Sequence, residues 1–269
     1  MKTSLIVTTY NRPDALARVL ASLTAQQRLA DEVLVADDGS GAATAQVVQA
    51  AAARLPLRHI WQEDDGFRAG RARNLAVSRA SGDYLVFIDG DCVLRPSFLR
   101  CHADLAEAGQ FVAGNRVLLS ERFTAEALTQ ELDLPAFSLA DWWRHRRAGD
   151  INRFLPLLEL PGQAWRKRQP ARWQGARTCN LAVWRRDFEA VNGFDEAFSG
   201  WGHEDADLAV RLLRSGVRRK DGRFGTAVLH LWHKENDRSR LPENERRLAE
   251  ILAGTRIRAE QGLSGHLAG

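Results

Sequence analysis

Short apolar runs that alternate with helical stretches constrain this chain more than anything else in it. Leu5-Ile6-Val7, Glu32-Val33-Leu34-Val35-Ala36, Arg58-His59-Ile60-Trp61 and Tyr84-Leu85-Val86-Phe87-Ile88 read as strands. Between them, Leu16, Val19, Leu20 and Leu23 fall on one helical face, with Pro13 in the first turn and Asn11 offered as its cap. An Ala-rich helix spans 42–53 and another spans 70–80. Strand and helix with short connections between them imply βαβ units, hence an α/β fold with a mostly parallel central sheet flanked by helices. In such sheets ligands gather beyond the carboxyl ends of the strands. Three polar clusters lie there: Thr8-Thr9-Tyr10-Asn11, Asp37-Asp38-Gly39-Ser40 and Asp89-Gly90-Asp91. No G-x-G-x-x-G follows the first strand, which removes the main support for a dinucleotide-binding reading.

The chain of 269 residues suffices for one domain with a full core, and we expect a single unit over 1–269. Residues 122–177 read as an irregular helical insertion, broken by Pro135, Pro156, Pro161 and Pro170. A strand follows at 180–184, then a helix from Glu204, a strand at 226–230 and a C-terminal helix from Pro242 to about Gln261. Three cysteines without a CxxC pair point to a reducing compartment, and no apolar run is long enough to span a membrane. Expected localisation is therefore cytoplasmic. Trp142 to Arg177 carries nine Lys/Arg against Asp150 and Glu159, with four tryptophans, which suits peripheral contact with an anionic membrane face or an anionic acceptor.

Asp89-Gly90-Asp91 ends an apolar strand, where acidic groups need a cation or donors to compensate them. It suits a hard divalent ion, Mn²⁺ or Mg²⁺, with open positions for phosphate. His230 and His233 stand three apart after the last strand, and either could complete an oxygen-rich set, His233 being favoured. Trp201-Gly202-His203-Glu204-Asp205 places a carboxylate pair behind a wall and a tight turn at a helix start, suited to taking a proton. Arg68, Arg71 and Arg73 open another helix, where guanidinium forks and the helix start both favour phosphate. Metal and diphosphate on one side with a base on the other is the equipment for transfer from a nucleotide-linked donor to a hydroxyl.

Together these residues resemble a family 2 glycosyltransferase of the Rossmann-like GT-A fold. The carrying motifs are Thr8-Thr9-Tyr10-Asn11, Asp37-Asp38-Gly39-Ser40, Arg73-Asn74 and Asp89-Gly90-Asp91. Asn192-Gly193-Phe194-Asp195 through Leu208 is similar to the C-terminal module of galactosyltransferase-like enzymes. The resemblance implies that Thr9, Tyr10 and Asp38 bind the nucleotide base, usually uracil, with Arg73 near the nucleotide. Asn11, Arg68, Asp89 and Trp201 complete that donor set. It implies Asp91 as main metal ligand with Asp89 and His233, Asp205 as base and Glu204 orienting the acceptor. It further implies residues 1–114 as the nucleotide-sugar half and 115–239 as the acceptor half. The product would be an inverted linkage on a glycan or lipid-linked acceptor in bacterial surface polysaccharide or lipopolysaccharide assembly, with no nucleic-acid partner. His203 departs from the family's usual glycine and puts a polar group at the acceptor site. A sugar nucleotidyltransferase and a non-catalytic binder of nucleic acid are the alternatives. The first lacks a Gly-rich triphosphate loop after the first strand, and the second leaves the acidic clusters unexplained.

Overall fold

A computed structural model of the chain describes residues 1–235 and 237–267. Its first half follows the alternation read above: β1 (Thr3–Thr9), α1 (Pro13–Thr24), β2 (Glu32–Asp37), α2 (Ala42–Ala52), β3 (Leu57–Trp61), α3 (Ala69–Arg79) and β4 (Tyr84–Asp89). There follow β5 (Cys92–Leu94), α4 (Phe98–Leu105), β6 (Gln110–Ala113), β7 (Arg116–Leu118), α5 (Glu121–Thr129) and α6 (Leu139–Arg147). The chain continues through β8 (Asn180–Trp184), α7 (Arg185–Ala190), α8 (Glu204–Arg214), β9 (Arg218–Asp221), β10 (Val228–His230) and α9 (Leu241–Ala253).

Seven strands form the central sheet in the order β3-β2-β1-β4-β8-β6-β9, with β8 antiparallel to both neighbours and the other pairings parallel. All seven residues of β1 are buried because helices cover both faces of the sheet. Alternate residues serve opposite layers: Leu5 and Val7 pack with Leu16 and Val19 of α1, while Ile6 packs with Ala72 and Ala76 of α3 and Leu208 of α8.

A second sheet, of order β5-β10-β7, was not legible in the sequence. β5 leaves directly from Asp91, and β10 pairs antiparallel with it so that His230 lies opposite Cys92. β10 is shorter than the expected strand over 226–230. Thr226 is drawn into a turn, where its N–H and its hydroxyl both donate to the Gly222 carbonyl. The insertion has order of its own. Pro135 and Pro156 sit in the first turns of 3-10 segments, where a missing N–H costs nothing, and Trp142 packs fully buried against Phe123 and Phe137.

Three expectations are corrected here. Asn11 does not cap α1: it adopts φ 46°, and its Oδ1 accepts from the Gly41 N–H, tying the first loop to the second. The C-terminal helix ends at Ala253, after which the chain folds back onto the Asn192 turn, Ala259 N–H donating to Val191 and Leu263 N–H to Asn192. Nor is the Trp142–Arg177 stretch one continuous basic surface, since Trp142 is core and Arg166 is buried, donating to the carbonyls of Gly162, Leu160, Asp221 and Phe224. Among the described residues no helix is long and apolar enough to cross a membrane.

Candidate active site

The carboxyl ends of β1 and β4, the start of α8, the end of β10 and the segment before β8 enclose one cleft of about 490 Å³, within the range of ligand sites. Thr9, Tyr10, Asp38, Arg73, Asp89, Asp91, Trp201, Glu204, Asp205, His230 and His233 all line it. Asn11 and Arg68 do not. Asn11 is spent on the loop contact above, and Arg68 turns outward to Asp65 at 3.0 Å and to the Glu63 carbonyl. Only the Arg68 backbone serves the site, its N–H donating to Asp38 Oδ2 at 2.7 Å while Gln62 Nε2 donates to Oδ1 at 2.6 Å. Burial raises the Asp38 carboxyl's pKa despite these donors. Tyr10, half-exposed, presents its ring at the rim with its hydroxyl donating to Asp64.

Arg73 is the hub of the floor. It is buried on α3 and donates from Nε to Thr8 Oγ1 at 3.0 Å. Its Nη2 meets Asp89 at 3.0 Å and its Nη1 meets Glu204 at 3.4 Å. Burial works against this charge, but Asp89, Asp205 and Glu204 outweigh it and raise the pKa. One cation cannot satisfy all these carboxylates. Burial, then the Asp205 charge, pushes Glu204 up to about 7, with Arg73 pulling the other way. Asp89 is pushed up to about 6 by burial and by Asp91, against Arg73. Asn74, beside Arg73, is structural, clamping the Phe194 N–H and carbonyl.

Asp91 faces two imidazoles instead of a guanidinium. His230 Nε2 lies 3.6 Å from Oδ1 and His233 Nε2 lies 3.5 Å from Oδ2. His233 Nδ1 is 2.8 Å from the Lys234 carbonyl, which calls for a proton on Nδ1 and makes Nε2 the nitrogen that faces Asp91. Burial lowers the His230 pKa, although Asp91 opposes it, so this ring is held neutral as a ligand must be. One carboxylate and two imidazole nitrogens fit a divalent cation. Cys92 is also within reach of Asp91 and His230, but burial holds its thiol protonated, so it makes a poor partner for a hard ion.

The opposite wall is the start of α8. Gly202 at φ 112° and His203 at φ 74° form a left-handed turn that aims Glu204 and Asp205 into the cleft. A histidine in that conformation costs about 1 kcal/mol or more relative to glycine, a local strain characteristic of functional turns. Thr178 donates its hydroxyl to Asp205 Oδ1. Asp207, in the same acidic run, is structural: it and Arg211 are fully buried and paired at 2.6 Å. Sequence reading missed Thr178, Arg116 and the Trp173–Arg177 wall, all of which line the cleft. The only available signal was their place just before, or inside, short strands.

Known proteins resemble this chain in sequence and in fold. Residues 4–163 match the glycosyl transferase family 2 model, and residues 164–234 match that of the N-terminal domain of galactosyltransferase. Validoxylamine A glucosyltransferase of Streptomyces hygroscopicus subsp. jinggangensis is 31% identical over 80% of this chain and 52% of its own length. The chain thus spans about half the length of that curated relative. Hyaluronan synthase of Pasteurella multocida is 27% identical over 79% of this chain and 23% of its own. Among solved structures, residues 1–349 of S. aureus TarS superpose with TM-score 0.62 at 17% identity, covering 99% of this chain and 68% of that one. The mannosyltransferase PcManGT from Pyrobaculum calidifontis, in complex with GDP-Man and Mn²⁺, gives 0.62 at 18%, over 94% and 63%. These likenesses bear out the GT-A fold. They favour neither the nucleotidyltransferase nor the nucleic-acid alternative. More than half of the chain lies within one family model, so this chain belongs to glycosyl transferase family 2.

Proposed function

We propose that this chain transfers a sugar from UDP to a hydroxyl of a glycan or lipid-linked acceptor, with inversion, in bacterial surface polysaccharide or lipopolysaccharide assembly. One observation carries the reading. Asp91 with two imidazoles stands on one side of the cleft, and Asp205 with a single anchored oxygen stands on the other. TarS structures in complex with UDP and with UDP-GlcNAc support the donor class, and PcManGT with Mn²⁺ supports the metal. In this reading residues 1–114 hold the donor, and 115–239 supply the acceptor wall and the late histidines.

Tyr10 stacks on the base at the rim, with Thr9 and Asp38 beneath it. Asp91, His233, His230 and Asp89 would hold Mn²⁺ or Mg²⁺, which when bound supplies Lewis-acid charge for the departing diphosphate. Arg73 keeps Asp89 and Glu204 in place. Glu204, protonated more readily than an ordinary carboxyl, orients the acceptor through a hydrogen bond, and Trp201 walls the site. Asp205 takes the acceptor proton through Oδ2. The acceptor oxygen bonds to the anomeric carbon, the bond from that carbon to the phosphate oxygen breaks, and UDP leaves with the electron pair.

For peripheral membrane contact, the outer side of α6 is the proposed surface, with exposed Leu139, Trp143, Arg144, Arg146 and Arg147, beside exposed Leu155. UDP release from UDP-glucose and UDP-GlcNAc with MnCl₂ tests the central claim. EDTA or Asp91→Asn should abolish it, and Asp205→Asn should lower kcat by about two to four orders of magnitude with UDP binding kept. Full turnover in EDTA or in Asp205→Asn would overturn the reading.

A further inference from the structure

The Thr178 contact carries a role that goes beyond the base itself and rests on the reading of Asp205 above. Thr178 is 1% exposed, at the head of β8, and its hydroxyl donates to Asp205 Oδ1. Its backbone neighbourhood is pinned. Asn180, two residues on, donates from Nδ2 to the Asn115 carbonyl at 2.8 Å, and its Oδ1 is 3.1 Å from His102 Nε2. Upstream, Arg219 Nη1 donates to the Gln174 carbonyl at 2.7 Å and Arg219 N–H to Pro170 at 2.8 Å. The hydroxyl is therefore presented from rigid backbone, whereas Asp205 sits in the first turn of α8 and its side chain receives no other protein hydrogen bond among the described residues. A carboxylate anchored by one oxygen has its rotamer set and its other oxygen free.

We propose that Thr178 is a positioning residue that locks the Asp205 rotamer and leaves Oδ2 as the oxygen that receives the acceptor proton. The test is steady-state UDP release from whichever of UDP-glucose and UDP-GlcNAc the wild type turns over, alongside UDP binding by calorimetry. Thr178→Val keeps the shape without the hydroxyl and should lower kcat about 10- to 100-fold, as expected when a reacting group is misplaced by about an ångström, with the UDP Kd unchanged. Thr178→Ser restores the hydroxyl and should restore most of kcat, and it keeps the test open if the Val variant does not fold. Wild-type kcat in Thr178→Val overturns the proposal, as does a Ser variant as slow as the Val variant. Loss of UDP binding in step with kcat would make Thr178 a structural or donor residue. If Asp205→Asn turns over normally, the base reading fails first, and this proposal with it.

A second observation stands independently. Arg116, on β7, is half-buried and lines the cleft beside the His230 strand. Among the described residues its guanidinium forms no ion pair and donates no hydrogen bond, whereas Arg73 is paired twice and Arg12 meets Asp14 at 3.7 Å. A half-buried guanidinium facing a cleft is stabilised by an anion, and the fork matches phosphate oxygens. We infer that Arg116 grips the donor's diphosphate directly, giving a phosphate contact that does not depend on the metal. Calorimetry in EDTA with UDP, uridine and inorganic pyrophosphate separates the possibilities. Arg116→Gln should weaken UDP and pyrophosphate about tenfold or more, the loss of a charged hydrogen bond, and leave uridine unchanged. Unchanged pyrophosphate binding overturns the inference, and so does a parallel loss of uridine. If the wild type binds pyrophosphate but not UDP, the choice of uracil fails while Arg116 stands.

Discussion

Replacing Glu204 with Gln should make this protein more stable and less active, and the size of the gain can be worked from the floor of the cleft. Glu204 lies near Asp205 and Asp89 with only Arg73 to offset them, and its pKa rises from the ordinary 4.5 to about 7. The unfolded chain releases that proton near 4.5 and the folded chain near 7. Stability contributed by this group is therefore complete below about 4.5, falls as pH rises through about 7 and is flat above. At about 1.4 kcal/mol per pKa unit the cost at pH 8 is on the order of 3 kcal/mol as a ceiling. Solvent relaxation at the open cleft brings the expectation to about 1–2 kcal/mol. Glutamine keeps the shape and removes the charge, while Arg73 retains Asp89 at 3.0 Å. Thermal unfolding in EDTA without nucleotide should show a Tm gain of roughly 2–8 °C at pH 8 and little at pH 5. UDP release should fall over the same comparison, the usual trade at a charged active site. A variant no more stable at pH 8, or one that gains equally at pH 5, would refute this account of the cluster.

Removing Arg211 breaks the fully buried pair with Asp207; Arg211→Met should cost about 3–5 kcal/mol in chemical denaturation, leaving UDP affinity of the folded fraction unchanged. His233→Ala and His230→Ala should each weaken Mn²⁺ binding at least about tenfold by electron paramagnetic resonance titration, and unchanged affinity in both would move the metal elsewhere. Arg144, Arg146 and Arg147 changed together to Ser should reduce flotation with anionic vesicles, each residue contributing up to about 1 kcal/mol. Arg166 must be kept in that variant, because its guanidinium holds five carbonyls. Equal recovery with neutral and anionic vesicles would remove the docking surface.

The elements that sequence reading located are those whose order is local. β1, β2 and β4 are apolar at their centres because both faces of the sheet are covered, and the polar clusters at their ends lie at the rim because the strands run parallel. β5, β6, β7 and β9 are three or four residues long, too short to carry a period, and their existence depends on partners distant in sequence. Charge runs were ambiguous for the same reason. Asp205 and Asp207 are alike in sequence, yet one turns to the cleft and the other to Arg211 in the core. In the basic segment Trp143 is exposed while Trp142, its neighbour, is buried, a distinction set by which side of α6 meets Phe123 and Phe137.

The sequence by itself determined the α/β class, the rim at which chemistry collects, and the residue types gathered there, because strand periodicity and chain direction are properties of neighbouring residues. Tertiary structure alone decided which of those residues meet. Antiparallel pairing of β10 with β5 sets His230 opposite Cys92, and so brings both histidines to Asp91 across about 140 residues of chain. Arg73, rather than Arg68, reaches the floor because α3 turns the one inward against Phe194 and leaves the other facing Asp65. Pairings of this kind are set by the burial of entire sheet faces and by charge compensation in a low-dielectric floor, and neither is a local property of the chain.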